Sequence, residues 1–178
     1  LRAKSGLTGV ELDHITGGIA KQLYPGAHIL DATGFQDFTA PDGTYDLAIG
    51  NPPFGSQKLY DGKRKHLSKF SIHNYFFGKS IDLLKPNGVL AMVVSNSMMD
   101  AYGDRARQYI SDRTEFLGAI RLPNNAFLKN AGTEVTTDII FLRKLADGGD
   151  PRGESWMDVQ EIKDPDGKDN IPLNEYFV

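Results

Sequence analysis

The sequence of 178 residues contains no cysteine and a single tryptophan. Without cysteine the protein has no disulfide bond, no thiolate zinc site and no thiol nucleophile, which is typical of a reducing compartment. No apolar run approaches the roughly 20 residues that a bilayer-spanning helix needs. No secretory signal pattern opens the sequence. We therefore expect a soluble, cytoplasmic protein with no membrane partner and no metal site.

A strong net charge is also missing, since the formal charge at pH 7 is -3. A surface that is basic all over is thereby excluded, and any contact with nucleic acid must come from a local patch. The hydrophobic fraction of 40% is ordinary, and a chain of this length can bury one core.

The stretch with the most specific chemistry is Tyr45–Gly55. Apolar residues up to Ile49 predict a short buried strand, which the Pro52-Pro53 pair ends because proline cannot continue a sheet ladder. In an open α/β sheet, ligands bind outside the carboxyl ends of the strands. The side-chain carbonyl of Asn51 and the main-chain carbonyl of Pro52 are two adjacent acceptors for one amino group, and Phe54 offers a face for stacking. The alternative is a proline turn in which Asn51 only braces the loop backbone.

The tetrapeptide Asn-Pro-Pro-Phe resembles the catalytic motif of the S-adenosylmethionine-dependent amino-methyltransferases, above all the DNA adenine-N6 enzymes. The resemblance implies that Asn51 and Pro52 accept hydrogen bonds from the target amino group, that Phe54 stacks on the flipped base and that Pro53 stiffens the turn. It also implies S-adenosylmethionine as cofactor and DNA as partner, with RNA as an alternative. Guanine-N2 methylation of RNA, glutamine methylation of protein and a non-catalytic binding module stay open as other functions.

Two segments before this motif are candidates for binding the cofactor. The first is Leu7–Leu12, a predicted strand in which Glu11 is placed to bind the ribose, and Asp13 then caps a helix that ends at Pro25-Gly26. The second is a predicted strand over Ala27–Thr33. The resemblance implies that Asp37 after it binds the adenine amino group and that Phe38, or Phe35, covers the ring. The alternatives are charge near a helix N-terminus for Glu11 and an ordinary turn aspartate for Asp37.

The Gly17-Gly18 pair inside the first predicted helix does not have the spacing of a phosphate-binding turn. We interpret it as a point of close packing.

The densest positive charge lies at positions 57–69, where six of thirteen residues are Lys, Arg or His. Because this segment follows the Asn-Pro-Pro-Phe turn, we predict that it contacts phosphates in a salt-sensitive way. The predicted contacts are Lys58, Lys63, Arg64 and Lys65. The alternative is a solvated loop.

The second half of the chain predicts a helix over Ser71–Leu84 that Pro86-Asn87-Gly88 ends, and a buried strand over Gly88–Ser95. The strands Phe116–Leu122 and Thr136–Arg143 follow without a helix between them, which predicts an antiparallel hairpin at the sheet edge. The wording of the hairpin and its loop resembles the large adenine-specific methylases of mobile elements and restriction systems, which are often fused to helicase domains. That resemblance implies contacts of Asn124, Asn125 and Phe127 with the target base.

We therefore expect an α/β fold, a Rossmann-like class I methyltransferase sheet that is mostly parallel with an antiparallel edge hairpin. The strand that is central in this fold, and the glycine-rich turn after it, are not recognisable in the sequence. We expect residues 1–145 to form a partial catalytic domain and residues 146–178 a linker and a tail that docks on it. The chain is then a fragment whose partners are the flanking segments of the same polypeptide, with a helicase domain as one candidate.

Overall fold

The computed structural model describes residues 6–103, 105–132, 134–147, 149–151, 153–164 and 166–178. The strands are β1 (Thr8–Val10), β2 (His28–Leu30), β3 (Tyr45–Gly50), β4 (Leu84–Ser95), β5 (Thr114–Leu122), β6 (Thr137–Lys144), β7 (Val159–Lys163) and β8 (Asn170–Asn174). The α-helices are α1 (His14–Leu23), α2 (Ile72–Leu83), α3 (Ser97–Asp100), α4 (Arg105–Ser111) and α5 (Leu128–Ala131). Short 3-10 turns occur at Lys65–Leu67 and Glu175–Phe177. Within the described ranges, no helix has the length and apolar character that crossing a membrane requires.

The N-terminal unit consists of β1, α1 and β2, and its two strands pair in parallel. As predicted, Asp13 caps α1, because its side chain accepts a hydrogen bond of 2.7 Å from the Thr16 amide. A Cβ atom at Gly17 would lie 2.5 Å from Cβ of Asp31, whereas a Cβ atom at Gly18 would meet nothing within 4 Å. Close packing is thus confirmed for Gly17 and wrong for Gly18.

The main sheet has the strand order β3-β4-β6-β5, with β3 parallel to β4 and the remaining pairs antiparallel. The predicted edge hairpin of β5 and β6 is therefore confirmed. Strands β4 and β6 form the centre of the core, where Leu90, Val94, Ile140 and Leu142 are inaccessible to solvent. The main sheet is therefore mixed, with one parallel and two antiparallel pairs, and β1–β2 is a separate two-stranded parallel sheet.

The junction between α2 and β4 differs from the prediction. The helix ends at Leu83 and β4 begins at once, before Pro86-Asn87-Gly88. Pairing with β3 shifts register between Tyr45 and Leu47, and Asn87 has a φ of 65°, so the Pro86-Asn87-Gly88 segment is a bulge inside the strand. Lys144 Nζ donates to the carbonyl of Leu84 at 2.7 Å and to that of Asp82 at 3.0 Å, which satisfies two acceptors at the abrupt helix end.

The C-terminal segment, predicted as a linker and tail, packs onto the main sheet from Trp156 onward. The Trp156 ring stacks on Phe116 with 5.4 Å between ring centroids, and the Tyr176 ring meets the edge of the same phenylalanine at 4.8 Å. Asn174 is fully buried and donates to the carbonyls of Met99 and Trp156. These contacts place the tail against the same core that the earlier strands form.

Candidate active site

The Asn-Pro-Pro-Phe turn leaves the main sheet at the carboxyl end of β3. Gly50 pairs with Met92 near the carboxyl end of β4, and Ser95 at that end pairs with Thr137 at the start of β6. Thr137 also pairs with Leu122, the last residue of β5. The Asn-Pro-Pro-Phe turn and the predicted target loop at residues 123–135 therefore lie at the same end of the sheet. The loop joins β5 to β6, which are three and two strand spacings from β3, or roughly 14 Å and 10 Å.

A cavity of about 410 Å³ lies between β1 and β3. Each of these strands has a hydrogen-bonded neighbour on one side alone in the described part of the chain, namely β2 and β4. The cavity lining includes Glu11, Phe35, Phe38, Asn51 and Pro52. The structure thus brings the residue predicted for the ribose and the predicted amine acceptors to one cavity.

Asn51 is exposed, and its side chain makes no hydrogen bond to any other described residue. The alternative in which this amide braces the loop backbone finds no hydrogen bond to support it. Pro52 is buried at the cavity wall, while Pro53 and the 40% exposed Phe54 follow in the turn outside the lining. The two predicted acceptors therefore border the cavity, with an accessible aromatic ring nearby in sequence.

Glu11 directly follows β1. One of its carboxylate oxygens accepts the Asp13 amide at 2.8 Å, and within the described ranges no hydrogen bond occupies the other oxygen. Asp13 itself caps α1, and the hydrogen bond from the Thr16 backbone lowers the pKa of its carboxyl group. Capping is therefore the role of Asp13, whereas Glu11 keeps one acceptor oxygen for a ligand.

The turn after β2, residues 34–38, supplies an apolar wall of the cavity. Phe38 is buried and lies nearly parallel to Phe35, with 6.2 Å between the ring centroids. Asp37, predicted to bind the adenine amino group, is exposed and accepts the Gln36 side-chain amide at 2.8 Å. It is next to the cavity in sequence but does not line it.

The basic segment at residues 57–69 is divided by the structure. Lys58, Lys63 and Lys65 are exposed, as the predicted phosphate contacts require. Arg64 is buried instead, where its Nε donates to Asp82 at 3.1 Å and its guanidinium also pairs with Asp42. Because both carboxylates occupy this guanidinium, we correct the prediction and leave Arg64 out of the nucleic-acid contacts.

The predicted target loop is closed at its base by hydrogen bonds. The Val135 amide donates to the Asn124 carbonyl at 2.9 Å, and Arg121 pairs with the fully buried Asp138 at 2.8 Å. Burial raises the pKa of Asp138, although the Arg121 guanidinium opposes this. At the tip, Asn124 and Asn125 are exposed and Phe127 is half-buried.

Sequence reasoning missed a buried group of three side chains beside the cavity, formed by Asp61, Tyr75 and Lys79. A signal for it existed, because Lys79 lies on the same helix as the apolar residues Tyr75, Ile81 and Leu83. A cation in a buried helix needs a partner, but the sequence does not say which aspartate provides it.

The fold and the cavity at its strand ends define a class I S-adenosylmethionine-dependent methyltransferase fold. A class I S-adenosylmethionine-dependent methyltransferase of Listeria monocytogenes superposes with a TM-score of 0.64 at 19% identity, covering 88% of this chain and 52% of that protein. A modification subunit of a type I restriction enzyme from Vibrio vulnificus YJ016 gives 0.64 at 16% identity over 79% of this chain and 33% of its own. The EcoKI M protein, from another type I restriction enzyme, gives 0.58 at 20% identity over 80% and 32%.

Residues 3–127 match the Eco57I restriction-modification methylase family, and the chain belongs to that family. The resemblance found in the sequence is thereby confirmed. A curated relative, the defense against restriction protein B of Escherichia phage P1, is 28% identical over 142 residues, which are 78% of this chain and 6% of that protein. The chain thus spans about half of the Listeria structure and a small part of the phage protein. S-adenosylmethionine is the cofactor of the methyltransferases that have this fold.

Proposed function

We propose that this chain carries the target-amine site and the ribose site of a DNA methyltransferase that transfers a methyl group to N6 of adenine. The observation that carries the proposal is that Asn51, Pro52 and Glu11 line one cavity, which runs along β1 and β3 to their carboxyl ends. Membership of a restriction-modification methylase family supports DNA as the substrate.

The proposed role of the catalytic turn follows from its donors and acceptors. S-adenosylmethionine supplies a methyl group on a sulfonium, which an amine nitrogen can displace. The Asn51 side-chain carbonyl and the Pro52 main-chain carbonyl accept the two amino hydrogens, which orients the nitrogen lone pair. Phe54 stacks on a base that has been flipped out of the duplex, a step that costs a few kcal/mol.

The chemistry of the cavity wall suits the nucleoside end of the cofactor. The available carboxylate oxygen of Glu11 can accept from ribose hydroxyls, and Phe38 and Phe35 offer an apolar face to a purine ring. Asp37 remains the proposed acceptor for the adenine amino group from the exposed side of the same turn.

Proposed contacts with DNA come from two exposed segments. Lys58, Lys63 and Lys65 follow the catalytic turn and would meet the backbone phosphates, with the salt dependence that counterion release causes. The target loop offers Asn124, Asn125 and Phe127 to the flipped base and its neighbours.

We also propose that a further strand of the same polypeptide fills the length of the cavity between β1 and β3 and leaves its carboxyl end, with Glu11 and Asn51, to the ligands. The chain is then one part of a longer enzyme. Two parallel pairs each present a free edge to the cavity, and such edges favour pairing with another strand. Helix α1 supports this reading, because its side chains Ile15, Ile19 and Leu23 are each more than half exposed. For the isolated 178-residue chain we therefore expect weak binding of S-adenosylmethionine in calorimetry. A tight complex would contradict this part of the proposal.

The test of the catalytic assignment is Asn51→Ala in the intact protein. We expect transfer of labelled methyl groups to DNA to be lost, with cofactor affinity nearly unchanged, because the substitution removes an acceptor for the target amine only. Retained turnover would refute the assignment. Asn170→Ala is the matched control, since Asn170 is an exposed asparagine in the β7–β8 hairpin.

Digestion of the methylated product to nucleosides then identifies the target. N6-methyladenine is the expected nucleoside. Detection of N2-methylguanine would identify RNA guanine as the substrate. Label that stays bound to protein would identify a protein substrate. Either result would contradict adenine in DNA as the target.

A further inference from the structure

The buried side chain of Lys79 joins two segments that border the candidate active site. Its Nζ donates to Asp61 at 3.0 Å and to the main-chain carbonyl of Gln36 at 3.3 Å, and it also donates to the carbonyl of Phe35. Gln36 and Phe35 belong to the turn at residues 34–38, which forms a cavity wall. Asp61 lies in the segment that follows the catalytic turn. All three donor hydrogens of the ammonium group thus have acceptors on these two segments.

On the side of the basic segment, Asp61 organises the backbone. One carboxylate oxygen accepts the Lys63 amide at 2.9 Å and the Arg64 amide at 3.1 Å, and the other accepts the Tyr75 hydroxyl at 2.7 Å as well as Lys79. Asp61 and Lys79 are 3% and 1% exposed. Because Asp61 is held in place, it fixes the position of the exposed Lys63 and of the residues next to it.

On the side of the cavity, the Lys79 ammonium group contacts Phe35 twice. It lies 5.0 Å from the centre of the ring, and it donates a hydrogen bond to the main-chain carbonyl. Phe35 in turn stacks on Phe38, and both rings line the cavity. The position of this apolar wall consequently depends on the same ammonium group that anchors Asp61.

Packing alone does not account for a buried lysine and aspartate. Their burial costs desolvation free energy, and well-packed apolar residues of similar volume often replace such a pair without loss of stability. Burial lowers the pKa of the Lys79 ammonium, although Asp61 opposes the shift. Burial by itself would raise the pKa of Asp61, but hydrogen bonds from Tyr75 and Lys79 outweigh it and hold that pKa at about 2. Asp61 is therefore ionised at neutral pH.

We propose that Lys79 is a positioning residue that couples the cofactor-side turn at residues 34–38 to the substrate-side segment at residues 61–64. The role in catalysis rests on the proposed function, whereas the mechanical link does not. We call the three hydrogen bonds from Lys79 to Phe35, Gln36 and Asp61 the lysine bridge. Its consequence is that neither segment can move without disturbing the other.

The test of the link is hydrogen exchange in the 178-residue chain with Lys79→Met, which keeps most of the volume and removes the charge. We expect the Phe38 amide and the Lys63 and Arg64 amides to exchange about tenfold faster or more, and together, because both segments lose the shared anchor. The control is Lys163→Met, at an exposed lysine of β7. Faster exchange at one segment alone, or a uniform increase through α2, β4 and β6, would overturn the proposal.

The test of the positioning role is the kinetics of the intact protein. With Lys79→Met we expect KM for S-adenosylmethionine to rise and kcat for DNA methylation to fall, each about tenfold, since both sides of the site lose their register. Lys163→Met, at the exposed lysine of β7, is again the control and should leave both constants within about threefold of the original. If KM alone changed, Lys79 would position the cofactor-side turn only, and the proposed coupling would be contradicted. If the unmodified protein transferred no methyl groups, the proposed function would fail, and hydrogen exchange would still decide the link.

Discussion

The β1–α1–β2 unit and the main sheet bury very different amounts of apolar surface. Leu90, Val94, Ile140 and Leu142 in the main sheet are inaccessible to solvent, and α2 adds the equally buried Ile81. In α1 the single buried residue is Gly17, whereas the large apolar side chains of this helix are exposed to solvent. The main sheet holds the Asn-Pro-Pro-Phe turn, whereas the weakly packed unit holds Glu11.

The candidate site therefore depends unequally on the two regions. Stability within one structure is not uniform, and segments with few buried apolar contacts open at low free-energy cost. The Asn51-Pro52 turn is held by the core of this chain. Glu11, which we propose for the ribose, lies on the weakly packed unit.

The sharpest way to test the comparison is a pair of alanine substitutions. Leu142→Ala should lower the free energy of unfolding by about 2–5 kcal/mol, because it removes buried methyl groups and leaves a cavity in the main sheet. Ile19→Ala should change it by about 0.5 kcal/mol or less, since that side chain is 55% exposed. Urea denaturation measures both values. Equal losses would show that α1 is packed as firmly as the sheet.

A second pair of substitutions compares how a buried aspartate, Asp61, and a surface aspartate of the N-terminal unit, Asp31, contribute to stability in acid. The folded-state pKa of Asp61 is about 2, below its ordinary value of 3.8, so its contribution is present above pH 4 and is lost as the pH falls through about 2. Asp61→Asn should therefore cost about 2 kcal/mol at neutral pH, with the difference from the original chain shrinking toward pH 2.

Asp31 in the N-terminal unit is the matched case. It pairs with Lys21 and His14, and the hydrogen bond from Lys21 lowers its pKa, but the pair lies at the surface. Asp31→Asn should change the acid dependence of unfolding far less, because solvent screens such pairs. Unfolding curves recorded between pH 2 and pH 7 measure both variants. A loss with Asp31→Asn as large as that with Asp61→Asn would contradict the contrast.

The smallest effect is expected within α1 itself. Gly18→Ala meets open space and should stabilise the chain by roughly 0.5–1 kcal/mol through helix propensity. Gly17→Ala should destabilise it, because the new methyl group would collide with Asp31 beside β2. Thermal unfolding of the two variants measures the difference. Stabilisation by both would mean that α1 does not pack closely on the segment after β2.

Local signals in the sequence were sufficient for most elements and for the core of the site. The Asp13 cap, the apolar strand of β4 and the β5–β6 hairpin each follow from residues within a few positions of one another. Asn51 and Glu11 were proposed in the same way, since each directly follows a short strand. Ligands bind at the carboxyl ends of the strands in an open α/β sheet, and these two residues line one cavity.

Other features depended on partners far apart in the chain. Arg64 lies between two lysines of equal charge, and only its approach to Asp42 and Asp82 turned it inward. The early start of β4 involves Lys144, which is about 60 positions away and donates to the carbonyls of Asp82 and Leu84 on the two sides of the junction with α2.

Most strands and helices, the Asn-Pro-Pro-Phe tetrapeptide and the family to which it points could be predicted from the chain, because short-range sterics and hydrogen bonding encode them. Which charges are buried, the packing of the tail on Phe116 and the hydrogen bonds from Lys79 to two separate segments became visible in the folded molecule. Burial of an ion pair depends on where distant segments meet, and no local pattern encodes that meeting.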